Sequence, residues 1–462
     1  MTERPSLVWL RNDLRIADNP ALFAAARRGG PVLALYVLDE DPEVARPPGA
    51  ASRWWLHHSL TALGDALRER GVHLLLRRGP AQRIVREVAE EIDAGAVFWN
   101  RRYGAGERTQ DTAVKEETRA AGREAASFDG SLLFEPWTVL KADGTPYAVF
   151  SAFWRACLAT TGPREPLGEP DLAALPRLGA VPSGGELGSW ALLPDIPWDA
   201  GLAETWTPGE AGAAERLAAF GRVVDDYQRG RDEPGPDATS HLSPHLRFGE
   251  VSPHQVWHAI SAGRSGAAAK FGAELGWREF NYTLLYNAPD LAGRNLRSEF
   301  DAFPWREPAD GELEAWQRGR TGFPFVDAGM RQLWRIGWMH NRARMVTASF
   351  LIKNLLLDWR LGEAWFWDTL VDADPANNAA NWQWVAGSGV DAAPYFRVFN
   401  PVLQSKKFDP RGDYLRTWVE ELVDVPSAAI HEPAGVAGYP PPMVDLKRSR
   451  AEALAAYDTI TR

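Results

Sequence analysis

The segment from Asp372 to Trp384 brings together side chains that seldom occur side by side: two carboxylates, three asparagines and two tryptophans. Asn378 and Trp382 are four residues apart, so they would share one face of a helix. Amides donate and accept hydrogen bonds without titrating, and indoles offer large apolar surfaces with one polar edge. The segment therefore predicts a polar binding site with aromatic walls.

Two further segments carry a mixed stripe at helical spacing. The first stripe consists of Glu274, Trp277, Arg278 and Asn281. The second consists of Trp338, Asn341, Arg342 and Met345. A helix would align each set on one side. Either stripe alone could be a solvated face with a stray tryptophan, but two such stripes favour a polar pocket with an aromatic floor.

A hydroxyl-rich segment, Thr239–Ser243, precedes Pro244. Ser243 followed by proline is a typical helix start, and the free N–H groups there suit a phosphate. Plain helix capping explains the same residues equally well. His241 and His245 have metal-ligand spacing, but Pro244 lies between them and breaks the helix, so we expect no metal site.

These residues follow an N-terminal region of alternating strands and helices. Apolar runs predict strands at Ser6–Leu10, Pro31–Leu38, Val72–Arg78 and Ala96–Asn100, with helices at Ala51–Arg70 and Ala81–Ile92. This rhythm predicts a Rossmann-like α/β domain with a parallel sheet. Neither a dinucleotide fingerprint nor a P-loop is present. After a Pro- and Gly-rich stretch, helical periodicity dominates. We predict an α/β domain over residues 1–130, a connector over 131–210 and an all-α domain over 211–462.

Composition sets broad limits on the protein. The formal net charge of −10 argues mildly against nucleic acid, but local charge decides binding, and residues 331–360 are strongly basic. The single cysteine, Cys157, excludes an intrachain disulfide. No apolar run approaches the ~20 residues that span a membrane, and the N-terminus lacks signal-peptide order. We expect a cytoplasmic protein that needs no membrane, and nothing in the sequence demands more than a monomer.

Several ordered segments resemble signatures of the photolyase/cryptochrome family of flavoproteins. They are "WLRNDLRIADNPAL" (Trp9–Leu22), "WREF", "TGFPFVDAGMRQL", "GWMHNRARM" and "DADPANNAANWQW". The resemblance covers nearly the whole chain. It implies an all-α C-terminal domain that binds FAD non-covalently, and an N-terminal domain that holds a light-harvesting antenna.

The resemblance assigns a role to each matching residue. The FAD ligands would be Tyr227, Thr239, Ser240, His241, Leu242, Ser243, Arg344, Asp372, Ala373, Asp374 and Asn378. Arg344 would pair with Asp372, and Asn378 would face flavin N5. Because an amide cannot deliver a proton, Asn378 favours a fully reduced flavin, as in repair members of the family. Plant-type cryptochromes carry aspartate instead.

For a repair enzyme the resemblance implies that the excited reduced flavin passes one electron to a flipped-out cyclobutane pyrimidine dimer in UV-damaged DNA. Trp277 and Trp384 would wedge the two bases. Glu274, with a raised pKa in a dry pocket, would stabilise the extra electron. Further substrate residues would be Asn281, Asn341, Arg342 and Met345, and DNA-backbone candidates are Arg231, Arg278, Gln404, Lys406 and Lys407.

Three other roles follow from the resemblance. Trp382, Trp359 and Trp305 would carry electrons from the surface to the flavin. Glu107 would bind an antenna, for which methenyltetrahydrofolate is favoured over a deazaflavin. His340 is out of register with the catalytic histidine expected of (6-4) enzymes, which favours cyclobutane dimers. The alternatives are a cryptochrome-type signalling photoreceptor and a helical electron-transfer flavoprotein.

Overall fold

Five parallel strands form the sheet of the N-terminal half in the computed structural model, which describes residues 3–236, 238–260, 266–395 and 397–461. The strands are β1 Ser6–Leu10, β2 Val32–Leu38, β3 His73–Arg78, β4 Ala96–Asn100 and β5 Glu124–Phe128, in the order β3-β2-β1-β4-β5. The surrounding helices are α1 Pro20–Arg27, α2 Ala50–Glu69, α3 Ala81–Glu91 and α4 Ala105–Ala120.

Alternation of side chains along each strand builds two cores, one on each face of the sheet. Val8 and Leu10 of β1 pack with α1 and α2, whereas Leu7 and Trp9 pack with α3 and α4. The four predicted strands and both predicted helices are confirmed to within one residue at each end. Strand β5 was not predicted because its sequence, Glu-Ala-Ala-Ser-Phe, contains no apolar run; it lies at the edge of the sheet.

The segment predicted as a connector contains packed structure. Helices α5, Phe150–Leu158, and α6, Ala200–Thr205, form within it. Phe153 and Cys157 of α5 are buried against Phe280 of the helical half. Residues 131–210 are thus a connector only in part, because α5 belongs to the core under the candidate site.

The C-terminal half is helical in every regular element that the structure describes. Its α-helices are α7 Glu210–Val223, α8 Tyr227–Gly230, α9 Ser243–Phe248, α10 Pro253–Ile260, α11 Ala267–Asn287, α12 Glu312–Gln317, α13 Pro324–Ile336, α14 Asn341–Ser349, α15 Trp359–Thr369, α16 Asn377–Ala386, α17 Pro401–Phe408, α18 Asp413–Trp418 and α19 Leu446–Asp458. A π-helical turn, Phe350–Asn354, follows α14. Trp316, Trp359 and Trp382 are buried in the core of this half, whereas Trp334 is 59% exposed.

Buried polar contacts join the two halves. Trp55 of α2 donates its indole N–H to Glu250, at 2.9 Å. Trp367 of α15 donates to the carbonyl of Pro47, at 2.8 Å. Buried groups of this kind must be paired, so the relative placement of the halves is specified rather than left to apolar contact alone. No helix among the described residues is long and apolar enough to cross a membrane.

Candidate active site

A cavity of about 480 Å³ opens in the helical half among α8, α9, α11 and α14–α16. The predicted site residues that line it are Tyr227, Arg231, Thr239, Ser240, His241, Ser243, Glu274, Trp277, Arg278, Asn281, Asn341, Arg344, Met345, Asp372, Asp374, Asn378, Trp382 and Trp384. Segments far apart in sequence therefore converge as the two stripes predicted. Leu242 and Ala373, predicted as cofactor ligands, are buried in the protein interior and are not among the lining residues.

The predicted ion pair at one end of the cavity is confirmed. Arg344 donates to both carboxylate oxygens of Asp372, at 3.1 and 2.8 Å, and its Nε donates to the carbonyl of Met339 at 2.7 Å. Arg247 lies in the same wall and was not predicted. Its Nε donates to the carbonyl of Ala373, at 2.6 Å, while its buried Nη1 has no partner.

Asp374 organises the start of α16. Its Oδ1 accepts from the backbone N–H groups of Ala376 and Asn377, at 3.0 and 2.8 Å, and its Oδ2 accepts from the Tyr282 hydroxyl at 2.7 Å. The Asn377 side chain donates to Asp374 and accepts from Asn281, both at 2.9 Å. Asn377, to which the sequence assigned no role, thus couples α16 to α11.

The Asn378 amide is held by one residue of α15. Its Nδ2 donates to the backbone carbonyl of Glu363 at 3.0 Å and to Glu363 Oε1 at 2.8 Å. An amide nitrogen carries two N–H donors, so both are used. The amide oxygen is the atom left for a partner in the cavity that Asn378 lines.

Aromatic rings form two walls of the cavity. Trp277 stacks on Phe150 of α5, with centroids 3.9 Å apart and planes 10° apart. Trp384 lies on α16, and its backbone carbonyl accepts from Ala393 N at 3.1 Å. Phe150 N in turn donates to Asp391, at 2.8 Å. Phe150 was not predicted as a site residue because it lies in the predicted connector, far along the chain from Trp277.

The prediction that Glu274 sits in a dry pocket is wrong. Its side chain is 28% exposed and forms ion pairs with Arg231 and with Lys270, the latter at 3.3 Å. The carboxylate therefore occupies the cavity mouth as the anionic partner of two basic side chains.

The second stripe differs from its prediction in two respects. Gly337, at φ +65°, ends α13, and α14 begins only at Asn341, with His340 as its cap. Trp338 therefore precedes the helix, yet it still lines the cavity. Arg342 is not a lining residue: it pairs with Asp232, at 2.6 Å, and its guanidinium lies 4.2 Å from the Phe408 ring centre.

The hydroxyl-rich segment reaches the cavity, but Ser243 is not the cap. Leu242 precedes the helix and Ser243 is the first residue of α9. The Ser243 hydroxyl accepts from the Trp338 indole at 3.3 Å. His245 is buried and bonded to Glu250 instead of facing His241. Among the described residues no cluster of three or more side chains suited to a metal ion occurs.

The three tryptophans of the predicted electron chain belong to one core. Trp382 is buried in the cavity wall, with the Phe366 ring centre 5.0 Å away. Trp359 is fully buried and donates to Asn295, at 3.0 Å. Trp305 is half-buried at the edge of the same core, 4.2 Å from Phe303. Trp382 and Trp359 are both buried and only Trp305 is partly exposed, and their role in electron transfer stays a prediction.

The basic bias of residues 331–360 does not form one free face. Arg331 pairs with Glu421, at 2.6 Å, and Arg335 with Glu204, at 2.9 Å. Lys353 is buried and donates to a backbone carbonyl. The structure therefore does not support the use of the whole segment 331–360 as a DNA-binding surface. Gln404, Lys406 and Lys407 lie on α17, outside the cavity lining.

Glu107, the predicted antenna ligand, has a role within the protein. Its carboxylate accepts from Gly104 N at 3.0 Å, which caps α4, and lies 3.6 Å from Arg102. The Gly106 position is closed, because an added Cβ would approach the carbonyl oxygen of Glu43 to 2.1 Å. A residue with a side chain would therefore not fit at this position without movement of the loop.

The donor set of the cavity suits an FAD molecule. Arg247 Nη1 is a buried donor without a partner, as an anionic diphosphate requires. Asp372 lines the cavity and is fixed by Arg344, and the free oxygen of Asn378 can meet an N–H of a flavin ring. A volume of about 480 Å³ is within the range of cofactor sites.

Comparisons with known proteins agree with this geometry. The DNA photolyase family matches residues 6–171, and the FAD binding domain of DNA photolyase matches residues 271–459. The chain is 47% identical to the deoxyribodipyrimidine photo-lyase of Agrobacterium fabrum, over 99% of this chain and 98% of that protein. It is 37% identical to Cryptochrome-1 of Arabidopsis thaliana, over 96% of this chain and 69% of that protein.

A solved structure matches the whole fold. The bacterial class III photolyase from Agrobacterium tumefaciens superposes with a TM-score of 0.95 at 46% identity, covering 100% of this chain and 98% of that one. The α/β sheet, the helical half and the sequence matches across both halves lead to one conclusion: the chain belongs to the photolyase/cryptochrome family.

Proposed function

We propose that this protein is a deoxyribodipyrimidine photo-lyase, which uses light to split cyclobutane pyrimidine dimers in DNA. The observation that carries the proposal is a single cavity in which a neutral amide, Asn378, faces the same space as Trp277 and Trp384. The amide suits a reduced flavin, and the two indoles suit a pair of flipped-out bases. Bound FAD, once reduced and excited, supplies one electron that returns after the ring has opened.

The residues of the chain position both partners. Arg344 with Asp372, together with Arg247, would hold the FAD. Trp277 and Trp384 would sandwich the dimer and exclude water, and stacking of a base on an aromatic ring stabilises binding by roughly 1–3 kcal/mol. Asn341 and Met345, which line the cavity, would complete the base pocket.

The cavity mouth would bind the DNA backbone. Arg231 and Lys270 border it, and Arg342 lies next to it. Phosphate contacts by such cations supply most of the sequence-independent affinity. Because Glu274 holds two of these cations, DNA binding would loosen that pair and leave Glu274 able to contact a pyrimidine.

His340 supports cyclobutane dimers over (6-4) products. It is buried, accepts from Arg342 N as the cap of α14, and is not a cavity residue. Burial lowers the pKa of His340 to about 4, so it is neutral at physiological pH. A catalytic histidine of a (6-4) enzyme would need to reach the lesion.

The test uses purified protein whose flavin has been chemically reduced. It is incubated with oligonucleotides that carry either one cyclobutane dimer or one (6-4) product, in blue light and in the dark. We expect light-dependent loss of the cyclobutane dimer alone. Persistence of the dimer with reduced flavin present would refute the proposed activity and favour a signalling role.

An antenna in the α/β half stays a prediction, as does the preference for methenyltetrahydrofolate over a deazaflavin. A folate at Glu107 would compete with Gly104 N and Arg102 for the carboxylate. The absorption spectrum of chromophore released from the purified protein distinguishes the two. The cytoplasmic location and the monomeric state are also predictions.

A further inference from the structure

The side chain that holds Asn378 is itself held by the other half of the protein. Glu363 is 3% exposed. Arg46 Nη1 donates to both of its carboxylate oxygens, each at 2.8 Å. A buried carboxylate requires such a partner, and Arg46 comes from the loop between β2 and α2.

Arg46 is fixed in this position by contacts other than the ion pair. Its guanidinium lies 4.5 Å from the ring centre of Trp367, a favourable cation–π distance. The Trp367 indole donates to the carbonyl of the neighbouring Pro47 at 2.8 Å. The loop therefore packs against α15. Direct contacts connect Arg46 to Glu363 and Glu363 to Asn378.

This chain decides which atom of the Asn378 amide faces the cavity. Its nitrogen donates to two acceptors on Glu363. Turning the amide over would place its oxygen against a carboxylate and a carbonyl, so three acceptors would face one another without a proton. Buried acceptors without donors are strongly unfavourable. The oxygen therefore stays towards the cavity.

We propose that Arg46 and Glu363 are positioning residues that orient Asn378 so that the site favours flavin bearing a hydrogen on N5. This rests on the proposed function, which places N5 at Asn378. N5 of an oxidised flavin ring is only an acceptor, whereas the N5–H of the reduced ring is a donor. An amide oxygen accepts, so it matches the reduced ring and opposes the oxidised one.

The consequence is that the α/β half contributes to the redox preference of the flavin site. The contribution is not visible in the helical sequence, because Arg46 lies 317 positions before Glu363. Glu363 is an ion-pair partner of Arg46 and a hydrogen-bond acceptor for Asn378, so it connects the α/β half to the cavity wall.

The test measures how fast air oxidises the fully reduced flavin in the dark, followed by absorbance. The variants are Arg46→Ala, Glu363→Met, their double variant and Asn378→Ala. Loss of one hydrogen bond predicts about fivefold faster oxidation for each single variant. The double variant should be no faster than Glu363→Met, since both act on one bond.

Arg335→Ala is the matched control. It removes an arginine whose ion pair with Glu204 also joins separate segments, at 2.9 Å, but which does not touch the cavity. Flavin content and thermal unfolding are measured on every variant. Where Arg46→Ala loses flavin, Arg46→Lys replaces it: one retained donor should bring oxidation back to within about twofold of the parent.

The outcomes distinguish an error in the positioning role of Arg46 and Glu363 from an error in the placement of the flavin. If Asn378→Ala speeds oxidation while Arg46→Ala and Glu363→Met do not, the positioning role is wrong and the placement of the flavin stands. If Asn378→Ala itself has no effect, N5 does not lie at this amide and the inference falls with that placement. Equal acceleration by Arg335→Ala would also overturn it.

Discussion

Replacement of Glu274 by alanine should tighten binding to undamaged DNA while lowering repair. Glu274 neutralises two cations at the cavity mouth, Arg231 and Lys270, the latter at 3.3 Å. Without the carboxylate, at least Arg231 becomes available for a phosphate. Each phosphate neutralised changes the slope of log K against log salt by about −0.9 for duplex DNA.

The magnitude follows from that slope. One additional phosphate contact makes the loss of affinity between about 50 and about 200 mM salt some 3.5-fold larger than in the parent. Fluorescence anisotropy of a labelled undamaged duplex over a salt series measures it. Repair by the pre-reduced variant in blue light should fall in the same preparation, with flavin content unchanged.

Glu204→Ala is the control, because it changes the net charge equally and frees Arg335 away from the cavity. We expect its salt slope to match that of the parent. An equal steepening by both variants would mean that net charge, and not the pair at the mouth, governs binding. An unchanged slope for Glu274→Ala would refute the claim that Glu274 restrains Arg231.

Three further predictions test other parts of the site. Phe150→Ala removes the ring stacked on Trp277 at 3.9 Å, so dimer-containing DNA should bind about fivefold more weakly in anisotropy titrations; equal weakening with undamaged DNA would contradict this. Trp382→Phe should block photoreduction of oxidised flavin, followed by absorbance, yet spare repair by pre-reduced protein; unchanged photoreduction would remove Trp382 from the electron chain. Burial lowers the pKa of Lys353 from 10.5 to about 7, so the unfolded chain binds more protons between these values and stability from this group rises with pH. Lys353→Met should therefore be more stable than the parent near neutral pH, and this advantage in denaturant unfolding should shrink between pH values of about 8 and about 10. A difference in stability that stays constant with pH would contradict the prediction.

The sequence predicted those features that depend on local pattern. Buried parallel strands are short apolar runs, and four of them are visible as such. The stripe on α11 lies on one face because helical spacing requires it. Strand β5 was not predicted because an edge strand needs few apolar residues. The start of α14 was misplaced because Gly337 ends α13 before the stripe begins.

The remaining features depend on contacts between distant segments. Glu274 forms an ion pair with Arg231, which lies 43 residues away in the sequence. The orientation of Asn378 depends on Glu363 and Arg46, and the stacking of Trp277 depends on Phe150. None of these partners is marked by a local pattern, and only the packed structure reveals them.

The central claim is that one cavity brings reduced flavin and a flipped-out dimer close enough for direct electron transfer. The fluorescence lifetime of the reduced flavin tests it most directly, since electron transfer to a bound dimer competes with emission. We predict a shorter lifetime on addition of DNA containing a cyclobutane dimer and no change with undamaged DNA. A lifetime that stays constant with saturating dimer-containing DNA would contradict the account.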